Sequence, residues 1–136
     1  MTPSHRRLIG LLAISLSIAA LAPADEVSYA KVLKERDAVL SQLVANRESA
    51  ARVAGDENLV AARLALWSFR RDTASSKVEK IKQQELIVGV FQKRLDFQKS
   101  RVKAGIAGAD DLLLATNSVL EEQQLLEELR LDVKKG

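Results

Sequence analysis

The sequence predicts an all-α protein: an elongated antiparallel coiled-coil helical hairpin with an additional N-terminal helix. A column of residues seven apart, Val60, Trp67, Ala74, Ile81, Val88, Leu95 and Val102, holds its register through the middle of the chain. A strict period of seven specifies a left-handed supercoil. A second column with the same spacing, Leu112, Val119, Leu126 and Val133, follows a short interruption. Residues 25–136 contain no proline, so the strongest helix breaker is missing from both columns.

Residues 1–24 stand apart from this pattern. Arg6 and Arg7 precede an apolar run over residues 8–21, and Ala22-Pro23-Ala24 supplies small residues suited to cleavage. That order of basic, apolar and small residues is a cleavable signal peptide, leaving residues 25–136 as one helical domain that begins at Asp25. An uncleaved anchor is the competing reading, but the run falls short of the roughly 20 residues a spanning helix needs. Both prolines and the single histidine lie in this segment, and the chain has no cysteine. Disulfides and a lipid-modified N-terminal cysteine are therefore excluded. Without Arg6 and Arg7 the formal charge falls from +3 to +1, so no nucleic-acid partner is expected.

The first helix is expected from Asp25 to about Ala54, with Tyr29, Leu33, Leu40, Leu43, Ala50 and Ala54 on one stripe and Lys34, Glu35, Arg36 and Glu48 off it. Gly55 followed by Asp56 reads as a C-terminal glycine and then an N-cap acid; a turn is preferred over a kink in one very long helix, because both residues are poor in a helix interior. The second helix starts near Glu57 and runs on to the interruption. Its weak point is DTASS at residues 72–76, where Ser76 and Glu79 have the spacing of a capping box. Because the column persists through it, local fraying or a kink is expected there. Trp67 and Phe69 are expected to pack on the first helix, and Arg70, Arg71 and the lysines of residues 77–82 to form a solvated face.

The interruption, RVKAGIAGADDLL at residues 101–113, reads as the turn of the hairpin. Gly105 can take the left-handed conformation that ends a helix, and Arg101 and Lys103 suit the negative end of its dipole. Gly108 serves as the next N-cap, with Asp110 and Asp111 in the first turn, where free N–H groups favour carboxylates. Ile106 sits between the glycines with no core to enter, a contact point for a partner. At 1.5 Å per residue the incoming arm from residue 76 measures about 43 Å and the outgoing arm about 39 Å, matching lengths for an antiparallel pair. Glu121, Glu122, Glu127 and Glu128 are expected to help set that register. Leu86, Ile87, Val90 and Phe91 widen the apolar stripe beyond one seam, so self-association is expected.

Arg101, Gly105, Ile106, Asp111, Leu113 and Ala115 together resemble the RxxxGLxxxxDxLxA signature at the periplasmic tip of TolC-type outer-membrane efflux channels. Ile106 replaces the usual Leu, and Gly108 a Ser or Thr cap. The resemblance implies a periplasmic chain near the outer membrane, with Gly105 and Ile106 docking the hairpin of an adaptor (membrane-fusion) protein in envelope transport, and Arg101 and Asp111 ordering the tip; with Gly108 as the cap, these five are the expected partner-binding residues. No strand pattern for a membrane barrel accompanies it, so a complete channel is not expected, and a truncated relic of a longer efflux gene is one reading. The alternative is a structural or chaperone-like periplasmic coiled coil with no transport role.

No enzyme is expected. Residues 25–136 lack His, Cys and a Gly-rich phosphate loop, which leaves only carboxylates. The side chains of Asp110 and Asp111 diverge by about a hundred degrees on a helix, and both have capping work to do. No cofactor, metal or small-molecule substrate is implied.

Overall fold

The computed structural model describes residues 25–53 and 56–136, and within them the chain forms four helices: α1 (Glu26–Ala50), α2 (Glu57–Thr73), α3 (Lys77–Lys103) and α4 (Ala109–Lys135). Residues 1–24, on which the expected signal peptide falls, and Ala54 and Gly55 lie outside the described residues. The chain divides into two units, Met1–Leu33 and Lys34–Gly136. Of the first, the described residues hold the start of α1, where Asp25 caps the helix by accepting from the Ser28 N–H at 2.6 Å. That bond holds the Asp25 carboxyl below the usual aspartate range. The second unit carries the rest of α1 and the other three helices.

The helix boundaries follow from local chemistry. Asp56 opens α2 as its side chain accepts from the Asn58 and Leu59 N–H groups. Ala74 then turns to extended backbone, and Ser76, also extended, caps α3 by accepting from the Glu79 N–H at 3.1 Å. Thus the predicted kink at residues 72–76 is a complete break. Gly105 ends α3 with φ 72°. Its N–H donates to the Val102 carbonyl at 3.0 Å, and the Ile106 N–H donates to the Arg101 carbonyl at 2.9 Å, the bond pair of a Schellman ending.

The break at residues 74–76 overturns the predicted fold class. The expected coiled-coil hairpin plus one N-terminal helix is corrected to a four-helix bundle in which successive helices are neighbours. Released from α3, α2 folds back along it: Glu57 at the start of α2 meets Arg94 at 2.9 Å, and Arg71 near its end meets Gln84 at 2.7 Å. On its other side α3 runs antiparallel to α4, tied by Lys77–Asp132 at 3.2 Å and Arg130–Glu85 at 3.1 Å. These pairs set the register. Of the acids expected to do so, Glu122 instead receives Gln84, and Glu127 holds Arg130 within its own helix.

The core reflects a central α3 with neighbours on two sides. Leu59, Ala62, Leu66 and Phe69 of α2, Ile87 and Leu95 of α3, and Val119 and Leu126 of α4 are buried. In the first predicted column only Leu95 is buried and the other members are half-buried. One straight seam cannot serve a chain that reverses at residue 75. The second column fares differently, with Val119 and Leu126 in the core.

α1 buries no residue. It meets α2 through the ends of long side chains: the Arg36 guanidinium lies 4.6 Å from the centre of the Phe69 ring, and Glu48 pairs with Arg63 at 3.0 Å. Arg70 donates to both Asp37 oxygens, at 2.8 and 3.1 Å, and to Ser41 Oγ at 3.1 Å. So Arg70 and Arg71, expected to be solvated, are links between helices. Their guanidinium forks reach where shorter apolar side chains do not.

Candidate interaction surfaces

The predicted tip residues are brought together in the α3–α4 turn. Ile106 is 68% exposed, and an added Cβ at Gly105 would meet nothing within 4 Å. Gly105 is therefore required by its backbone angle alone. Gly108 begins α4 without a side-chain cap, and Asp111 compensates by accepting from the Gly108 N–H at 2.9 Å. Arg101 stacks its guanidinium 5.9 Å from the Phe97 ring centre, while its carbonyl accepts from Ile106 and Ala107. Every polar contact here serves the turn itself.

Behind the turn lies an open groove of about 520 Å³, lined among others by Phe91, Phe97, Arg101, Asp111 and Leu114, with Glu57 at its edge. Arg94 lines it too, already paired with Glu57. Arg101 and Asp111 thus share a groove, yet the guanidinium is spent on an aromatic face and the carboxylate on the α4 cap. Gln98 also lines the groove, and its Oε1 is buried without a partner, but one free acceptor is not the convergent set of polar groups that would fix a small ligand.

A buried polar network crosses the bundle higher up. Gln84 is 0% exposed. Its Oε1 accepts from Arg71 Nη1 at 2.7 Å, and its Nε2 donates to the Glu122 carbonyl at 2.9 Å and to Glu122 Oε2 at 2.8 Å. One amide therefore joins α2, α3 and α4. The adjacent Gln83 is also buried and donates to Glu79 at 2.8 Å, but its Oε1 has no partner. Neither glutamine stood out in the sequence, because an amide flanked by charged residues reads as surface.

The outer side of α4 carries the third feature. Leu113, Leu120 and Leu131 are 65%, 56% and 52% exposed. Spacings of seven and eleven residues are close to two and three helical turns, so the three leucines stack in one line. Val119 and Leu126 occupy the other side, in the core. α4 is thus apolar on opposite sides. The sequence held this signal in the spacing of the three leucines, beside the column of Leu112, Val119, Leu126 and Val133.

Among the described residues no group of three or more His, Cys, Asp or Glu is placed to hold a metal ion, and no helix is long and apolar enough to cross a membrane. Comparison of the chain with protein-family models, with curated proteins and with solved structures gives no match. The TolC-type resemblance is corrected accordingly. Its motif marks a tight turn between two helices of a bundle, whose glycine and aspartate are explained by helix ending and capping. With the coiled-coil hairpin gone, the readings built on it are withdrawn as well: a tip that docks an adaptor hairpin in efflux, and a coiled-coil structural or chaperone-like protein.

Proposed function

We propose that the chain is a non-catalytic helical module whose working form is self-associated. One observation carries this reading. Among the described residues eight apolar side chains are buried, whereas fifteen large ones are exposed. Scattered exposed leucines are normal on a monomer, but an apolar line on a helix whose opposite side already serves the core asks for a cover. The polar attachment of α1 points the same way, because Val39 and Leu43 stay exposed along it. Export by the signal peptide at residues 1–24, to the periplasm, belongs to the same proposal, and a secreted product with an intact Met1 would refute that part.

Sedimentation velocity of the chain from Asp25 onward tests the main claim. A sedimentation coefficient, helicity and melting temperature that rise with protein concentration are expected. A monomer with a concentration-independent melt would show that four helices suffice.

A further inference from the structure

We infer that α4 pairs antiparallel with α4 of a second copy, about a two-fold axis at position 122. The inference rests on the self-association proposed above and assigns its surface. Its ground is the self-complementarity of the exposed side of α4. Reversing the helix about position 122 sets Leu113 against Leu131 of the second copy, Leu120 against Gln124, Asn117 against Glu127 and Asp110 against Lys134. By symmetry each pair occurs twice. An isologous interface repeats every contact about its axis, and in this register one apolar pair, Leu113 with Leu131, and one opposite-charge pair, Asp110 with Lys134, fall into place together.

The charges fit in the same register. Asp110 and Asp111 lie in the first turn of α4, and Lys134 and Lys135 in the last. Antiparallel pairing brings each acidic end against a basic end, and opposes the two helix dipoles favourably. Neither Asp110 nor Lys134 has an ion-pair partner among the described residues. Asn117 and Gln124 each donate one bond along the helix, to Glu121 and Glu128, at 2.9 Å. Each keeps a second amide N–H, and that of Asn117 can donate to Glu127 of the second copy. Polar positions of this kind within a leucine line select one register over its neighbours. Glu121 alone opposes the pairing, since it lies beside the axis near its own copy, and as an exposed like-charge pair its effect is small.

Cross-linking of the full chain reads this register directly, because the sequence has no cysteine. Leu113 and Leu131 are about 27 Å apart along α4, and a disulfide requires Cα atoms within roughly 7 Å. Leu113→Cys and Leu131→Cys, oxidised separately, should stay uncoupled, whereas an equimolar mixture should give the covalent heterodimer. Leu120→Asp should keep its helicity and weaken association on the order of 100-fold. Efficient self-coupling of Leu113→Cys would overturn the antiparallel pair, as would a Leu120→Asp chain that associates like the wild type. In either case a concentration-dependent wild type leaves self-association standing. A wild type that is monomeric at every concentration removes both.

Discussion

Gln83 and Gln84 are sequence neighbours of the same residue type, both buried, and replacing each with Met should move stability by very different amounts. Gln84→Met deletes three hydrogen bonds, two of them to the charged Arg71 and Glu122 side chains. Bonds to charged groups contribute about 1.5–3 kcal/mol each. Arg71 retains Asp72 at 2.9 Å and Glu122 is half-buried, so both recover some hydration. The net loss expected is about 2–4 kcal/mol, a fall in Tm of about 10–20 °C for a domain near this size. Gln83→Met instead removes a buried Oε1 with no partner, at the cost of one bond to Glu79. A buried unpaired oxygen costs about 1–3 kcal/mol, similar to the worth of the bond to Glu79, so the variant should stay within about 1 kcal/mol of wild type. Urea unfolding followed by circular dichroism, at one fixed protein concentration, measures both. Adding Arg71→Met alone and with Gln84→Met closes a double-mutant cycle in which a coupling of about 1–2 kcal/mol is expected. If Gln84→Met is neutral, or if both variants lose stability alike, the network does not hold the three helices as argued.

The α3–α4 turn and the α1–α2 contact give further tests. Gly105→Ala should destabilise by about 1–2 kcal/mol through backbone strain alone, while Ile106→Asp should stay within about 0.5 kcal/mol of wild type; an Ile106→Asp chain that unfolds would place Ile106 in a core. The Arg70 hydrogen bond, and then its charge, hold the Asp37 carboxyl below its ordinary value near 3.8. A lowered folded-state value means this stabilisation is full above the ordinary value and is lost as pH falls through the lowered one. Because both side chains are more than a third exposed, screening limits the pair to about 0.5–1 kcal/mol. The urea midpoint of Asp37→Asn should therefore lie below wild type at pH 6 and converge with it near pH 2; a gap that persists in acid would assign the loss to something other than charge.

Helix ends were the most legible part of the sequence, because each rests on residues within one turn. Asp56, Ser76, Gly105 and Asp111 all act as their local chemistry predicts. What failed was the weight given to periodicity over punctuation at residues 72–76. Ser76 and Glu79 announced an N-terminus, yet the column through Ala74 argued for continuity. A seven-residue period records which positions are apolar, and it cannot tell whether the chain reverses between two of them. Once it does, members on either side of the break face different neighbours, which is why Leu95 is buried while Trp67 is only half-buried.

The candidate surfaces were hidden for a related reason. A helix between two neighbours, such as α3, needs inward residues on two sides, and some of that space went to Gln83 and Gln84, which no hydrophobicity count selects. Conversely, among the described residues α4 packs substantially on one helix, α3, so one apolar side should suffice. It has two. Among the described residues nothing covers the line of Leu113, Leu120 and Leu131, and it adds the aggregation risk of an exposed apolar surface. Asn117, Gln124 and Glu127 interrupt that line, which would be a defect in a core. On a self-pairing face the same interruptions limit indiscriminate sticking and favour one register. The pattern that looks poorly suited to folding one chain is the pattern suited to joining two.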